Sequence, residues 1–215
     1  MRHGSTLSLM IVAAISSLTW AGDVPDAQLP DSRLGRPVQP LLLLSRTDVR
    51  TELNMSAEQA SSAERAIRSF YVQASTLRGK PNTQDTVNAR RAVDEAAVGW
   101  IETQLATEQR TRLTQIQLQW EGPAALAKRP VVAETLSLSP EQKATLARAI
   151  KTRDEARDRG DADAEYNLGQ EVLRSLSKTQ GESWRQMMGK PFTFRSVRTA
   201  QAQAEPLPPQ PPRAR

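Results

Sequence analysis

The strongest constraint on this chain is a short pattern that occurs four times: an apolar residue, then Ser or Thr, two variable positions and Gln. Its clearest copy is Leu138-Ser139-Pro140-Glu141-Gln142. The others are Met55-Ser56-Ala57-Glu58-Gln59, Leu176-Ser177-Lys178-Thr179-Gln180 and Leu105-Ala106-Thr107-Glu108-Gln109, where Ala106 stands in place of the hydroxyl residue. Each copy reads as a helix start. The Ser oxygen accepts from a first-turn backbone N–H that has no partner within the helix, and Gln three positions on reaches back to the N-cap N–H. Pro140 suits the first helical position, where its missing N–H costs nothing. Ser56, Gln59, Gln109, Ser139, Gln142, Ser177 and Gln180 are therefore expected to be structural capping residues.

Two copies belong to a longer internal similarity. A shift of 83 lays Arg46 on Arg129, Val49 on Val132, Leu53 on Leu136, Ser56 on Ser139, Gln59 on Gln142 and Ile67 on Ile150, and nine of 22 positions agree without a gap. Agreement of the cap together with the upstream Val and Leu reads as a duplication.

Apolar spacing fills in the helices between the caps. Ala63, Ile67, Phe70, Tyr71, Ala74 and Leu77 form one stripe, and Ala89, Val93, Ala97, Trp100 and Ile101 another. Gly79-Lys80-Pro81, Gly122-Pro123, Gly160 and Gly189-Lys190-Pro191 are the stops. A single short helix is expected over 41–53, another over 130–136, a long one over 140–159, a return helix over 162–176 and a last one over 178–188. The expected fold is all-α: two repeated antiparallel helical-hairpin units with short capped helices, elongated or cradle-like. The units span 41–123 and 124–194. Residues 22–40, with four prolines, read as a mobile or extended lead-in, and residues 195–215 as a disordered Pro- and Arg-rich tail.

Residues 1–21 read as a signal peptide. Arg2 and His3 precede an apolar run from Leu7 to Leu18, and Thr19-Trp20-Ala21 offers a cleavage site. The run is shorter than the ~20 residues a spanning helix needs. The expected location is periplasmic or otherwise extracytoplasmic after cleavage near Ala21, with no membrane span remaining. The chain has no Cys, so no disulfide contributes there.

Charge adds an exclusion. Five of the 29 basic and one of the 24 acidic residues lie outside 22–194, leaving 24 against 23 within it. Four of the five net positive charges therefore sit in the termini, and the balance is no nucleic-acid footprint. The only His is His3, so the chain beyond residue 21 has neither His nor Cys. That removes His and Cys nucleophiles, His general bases and the usual zinc, copper and nickel ligand sets. No enzymatic activity, cofactor or metal is expected. Asp154, Glu155, Asp158, Asp161, Asp163 and Glu165 are dense enough for a weak hard-cation site, but Arg153, Arg157 and Arg159 among them favour an ion-pair face. Trp100, Trp120 and Trp184 hold core positions. Phe70 and Tyr71 point about 100° apart on their helix, so one of them at the core edge is a candidate client contact. Met187 and Met188 are others, because Met adapts to varied partners.

Through Leu138-Ser139-Pro140-Glu141-Gln142 and its three relatives, residues 41–194 resemble the Spy/CpxP family of periplasmic helical proteins, known for a repeated L-T-x-x-Q motif. The resemblance implies an all-helical, cradle-shaped protein that binds unfolding clients without ATP; some relatives act in envelope-stress signalling. A family subunit carries the motif twice and works as a dimer. Four copies here imply two family-like units in one chain, as a monomer with an internal pseudo-dimer or a weak homodimer. Ser replaces the usual Thr in three copies. The expected function is chaperone-like holding of protein clients on apolar patches ringed by Arg and Lys. The alternative is a regulatory or scaffold protein docking one envelope or sensor partner.

Overall fold

The computed structural model describes residues 35–195, among which the chain forms α-helices and turns and no strand. The predicted signal peptide, most of the lead-in and the tail from Ser196 lie outside the described residues. The helices are α1 (Pro40–Leu43), α2 (Thr47–Glu52), α3 (Ala57–Thr76), α4 (Gln84–Gln104), α5 (Thr107–Glu121), α6 (Ala124–Lys128), α7 (Pro130–Thr135), α8 (Pro140–Asp158), α9 (Ala162–Arg174) and α10 (Lys178–Met188).

The all-α expectation holds, with three differences of detail. Residues 41–53 form two helices rather than one. Leu44 caps α1, and the Ser45 hydroxyl donates to the Leu42 carbonyl at 2.7 Å, so the chain turns before Thr47 opens α2. The turn lets Leu41, Leu43, Leu44 and Val49 all be buried, which one straight helix could not do for so continuous an apolar run. Second, Gly122-Pro123 ends α5 as expected, but a further short helix that the sequence did not suggest follows the stop. After Gly122, whose φ of 53° and ψ of −140° suit only glycine, the chain re-enters a helix at α6 and buries Ala124, Ala125 and Leu126. Third, the end of the lead-in is held. Gly35 N–H donates to the Trp120 carbonyl at 2.5 Å, Val38 N–H to Glu121 Oε1 at 3.1 Å, and Gln117 Nε2 to the Val38 carbonyl at 2.7 Å.

There are two buried apolar clusters. The first gathers Leu41, Leu43, Val49, Ile67, Ile101 and Trp120, and the second Leu126, Val132, Leu146, Ile150, Val172 and Trp184. Helix α5 is the wall between them. Leu113, Ile116 and Trp120 share one face and enter the first cluster, while Leu118, about 200° round the helix from Ile116, enters the second.

Contacts between α3 and α4 run in opposite order: Gln59 meets Gln104, Trp100 Nε1 donates to Ser62 Oγ at 3.4 Å, and Arg90 donates to the Leu77 carbonyl at 3.3 Å. The two helices are therefore antiparallel, and burial fades along them. Ala63 and Ile67 are buried, whereas Phe70, Tyr71, Ala74 and Leu77 are half-buried. Helix α8 packs along α9. Asn54 and Ser137, 83 positions apart, are the non-glycine residues with positive φ among those described, at 49° and 48°. No helix of the described residues is long and apolar enough to cross a membrane.

Candidate functional site

The four Gln residues of the recurring pattern meet in two pairs. Gln59 Nε2 donates to Gln109 Oε1 at 3.1 Å and Gln109 Nε2 returns a bond to Gln59 Oε1 at 3.2 Å. Each Oε1 also accepts from its own N-cap N–H, Ser56 at 3.1 Å and Ala106 at 2.9 Å. Each Nε2 has a second acceptor, the carbonyl of Gln104 at 2.9 Å or Leu53 at 3.1 Å. Both donors and both acceptor sites of each amide are thus used. One pair ties together the starts of α3 and α5 and the ends of α2 and α4.

Gln142 and Gln180 repeat the arrangement, with mutual bonds of 2.9 and 3.2 Å, N-cap bonds from Ser139 at 3.0 Å and Ser177 at 2.9 Å, and second acceptors at Ser175 and Leu136. The Ser hydroxyls accept from Gln59, Gln142 and Gln180 N–H at 3.1, 3.2 and 3.2 Å, completing three boxes. Ala106 has no such oxygen, so that box is half built. Ser139→Ala is expected to cost about 1 kcal/mol and Ala106→Ser to gain a similar amount, read as shifts of the urea midpoint.

The surface suited to binding lies elsewhere. Gly189, with φ of 65° and ψ of −154°, ends α10 and turns the chain back along α5. Gln119 fastens this strap, donating to the carbonyls of Met188 at 2.7 Å and Lys190 at 2.9 Å and accepting from Phe192 N–H at 2.7 Å. Phe192 and Phe194 fall on one side of the extended strap, with ring centroids 4.8 Å apart and edge to face; Phe194 meets Trp120 the same way at 5.0 Å. Between the strap, α5 and α9 is an open groove of about 560 Å³. Tyr166, Leu173, Met188, Phe192 and Phe194 line it, and Tyr166 is 67% exposed.

Ion pairs hold both flanks. Asp48 accepts from Arg46 Nε and Nη2 at 3.0 and 2.8 Å and from Arg195 N–H at 2.8 Å, while the Arg46 guanidinium lies over the Trp120 and Phe194 rings at 5.7 and 5.6 Å. Burial is the largest influence on the Asp48 carboxyl and pushes its pKa up. The hydrogen bonds from Arg46 and Arg195 and the Arg46 charge outweigh it, and the pKa lies below its ordinary value of 3.8. Arg195, assigned to the tail by its sequence, thus belongs to the folded body. On the other side Arg153, 3% exposed, donates to the Gly35 carbonyl at 2.9 Å and to Asp154 at 2.8 Å. Asp154 also takes bonds from Lys128 and Arg157, each 2.8 Å. Burial again pushes its pKa up, and the hydrogen bonds and charges of Lys128 and Arg153 bring it below the ordinary 3.8. Asp158 pairs with Arg36. Asp154 and Asp158 of the acidic run thus form ion pairs, while Asp161 caps α9 by accepting from Ala164 N–H at 3.0 Å; among the described residues no group of three or more His, Cys, Asp or Glu is placed to hold a metal.

Of the residues expected to meet clients, only Met188 lines the groove. Met187 packs half-buried against the second cluster. Phe70 and Tyr71 both sit half-buried at the edge of the first cluster, their rings edge to face at 6.3 Å, and neither lines the groove. Tyr166, Leu173, Phe192 and Phe194 were missed. The alternation Phe192-x-Phe194 behind a Gly-Lys-Pro stop is the signal that marks an extended strap with a one-sided aromatic face. Tyr166 has no such mark, because it shares a helical stripe with Leu173 and differs only in lying beyond the core.

No family model, curated protein or solved structure matches the chain.

Proposed function

We propose that the chain is an exported, ATP-independent protein-binding protein of the bacterial envelope, without catalytic activity, that holds short apolar segments of partly unfolded clients. The observation that carries the reading is the aromatic groove with the exposed Tyr166 at its edge. Its volume of about 560 Å³ suits a few side chains of an extended segment rather than a folded domain. Of the lining residues only Arg153 is charged, and it is buried, so the contact surface of the groove itself carries no exposed Arg or Lys, and the cations on its flanks are held in ion pairs. Binding is therefore expected to depend weakly on salt.

Two tandem hairpin units of Spy/CpxP type, joined as an internal pseudo-dimer, form the proposed architecture. Its support is the pairing of four caps into two like amide clusters and the repeated positive φ at Asn54 and Ser137. Light scattering with residues 22–215 tests the function. Slowed aggregation of several unrelated unfolding clients, weakened by Tyr166→Asp, is the expected result. Unchanged aggregation in every client refutes it, and a single dominant partner in a pull-down then favours the regulatory or scaffold alternative.

A further inference from the structure

We propose that the aromatic groove is a site for a polyproline segment and that its resident occupant is the chain's own Pro206-Leu207-Pro208-Pro209-Gln210-Pro211-Pro212. The proposal rests on the reading of the groove as a peptide-binding surface and names what fills it when no client is bound.

Three observations carry it. First, the groove has the chemistry that polyproline recognition uses. Proline rings pack on aromatic faces, and the polyproline helix leaves its carbonyls without internal partners, so a host supplies donors. Tyr166, Phe192 and Phe194 provide rings, and the Tyr166 hydroxyl and Gln170 amide are donors on the α9 side. One turn of such a helix, three residues and about 9 Å long, matches a groove of this size.

Second, the sequence leaves the folded body at the groove. Phe194 lines it, and Arg195 is fixed by its N–H bond to Asp48 at 2.8 Å and its carbonyl bond from Arg46 at 2.5 Å. Ten residues separate Arg195 from Pro206. They reach at most about 35 Å, ample for folding back onto the same face. Third, the composition selects this segment over the other end. Residues 22–34 also lead to the groove, through Gly35, but hold only Pro25 and Pro30, spaced apart among three Asp residues. Residues 206–212 hold five prolines in seven positions and no charge. Docking there costs little ordering entropy, because proline already restricts the free chain. A strap of this kind competes with clients at a high effective concentration.

The chain has no Cys, so a single introduced thiol takes a nitroxide label at one place. In the full chain beyond residue 21, a label at Gln210→Cys is expected to remove the amide signals of Tyr166, Gly169 and Leu173 on α9. Amides on the outer face of α4, such as Asp94 and Val98, keep theirs. Changing the five prolines of 206–212 to Ser restores the α9 signals, and a label at Ser32→Cys leaves them intact. The proposal is overturned by undiminished α9 signals, by losses that survive the proline changes, or by losses from Ser32→Cys in place of Gln210→Cys. It is also overturned by losses seen only between chains, when an unlabelled isotopic chain is mixed with a labelled one. Because the measurement reads a distance within the chain, it stands or falls separately from the aggregation assay: clients slowed with no contact from the tail would leave the groove reading intact.

Discussion

Replacing Trp120 by Ala lowers the unfolding free energy by about 4 kcal/mol, the cost of deleting a fully buried aromatic side chain. Trp120 is 1% exposed on the last turn of α5. Its ring closes the first cluster and seats the Phe194 edge at 5.0 Å, with Arg46 above it at 5.7 Å. The same substitution should therefore loosen the strap, and hydrogen exchange at residues 190–195 should speed up more than at the α3 cap. Trp120→Phe retains most of the aromatic contact and should lose less than half as much stability. A loss below about 1 kcal/mol for Trp120→Ala, the range of surface substitutions, would mean that the ring is no anchor.

Asp48→Ala is expected to cost about 3 kcal/mol at neutral pH, because it leaves a buried guanidinium without its carboxylate. The side chains of Arg46 and Asp48 are 6% and 8% exposed, so solvent screens the pair little. The pH dependence fixes the sign. The folded-state pKa of Asp48 lies below its ordinary value of 3.8, so the native protein binds fewer protons than the unfolded chain near that value. The contribution is fully present above about 3.8 and is lost as the pH falls through the lowered folded-state value. Urea midpoints of the two proteins should therefore converge in acid. Asp154, lowered in the same direction, is present in both chains and cancels from the comparison. A gap that is constant from neutral pH into acid would show that Asp48 acts through packing rather than charge.

Helix starts were the most legible part of this chain. Ser56, Ser139 and Ser177 cap where they were expected to, because a capping box is satisfied by residues three apart and needs nothing distant. The other half of each Gln was hidden. Gln59 and Gln109 are 50 positions apart, and only the fold brings one amide to the other. The short α6 was obscured by Gly122-Pro123, a pair that stops helices locally but here makes a single sharp turn between two of them. Tertiary burial of Ala124, Ala125 and Leu126 supports the new helix after the stop. Phe70 and Tyr71 drew attention as adjacent aromatics, yet both lean on the first cluster. The groove combines single residues from α5, α9 and the strap, so no window of sequence contains it.

The reciprocal amide pairs also bear on the order in which the chain folds. A capping Gln bonds its own N-cap within three residues, but its second donor waits for a carbonyl and an amide that arrive only when a loop closes. Early helix starts are thus incomplete until distant ends meet, which couples helix nucleation to loop closure and makes each half cooperative. The loops differ in length, spanning 50 positions between Gln59 and Gln109 and 38 between Gln142 and Gln180. Closure entropy favours the shorter by only ~0.2 kcal/mol. The later half of the chain therefore has a slight lead, while α5, shared by both cores, is the element on which the two halves must agree.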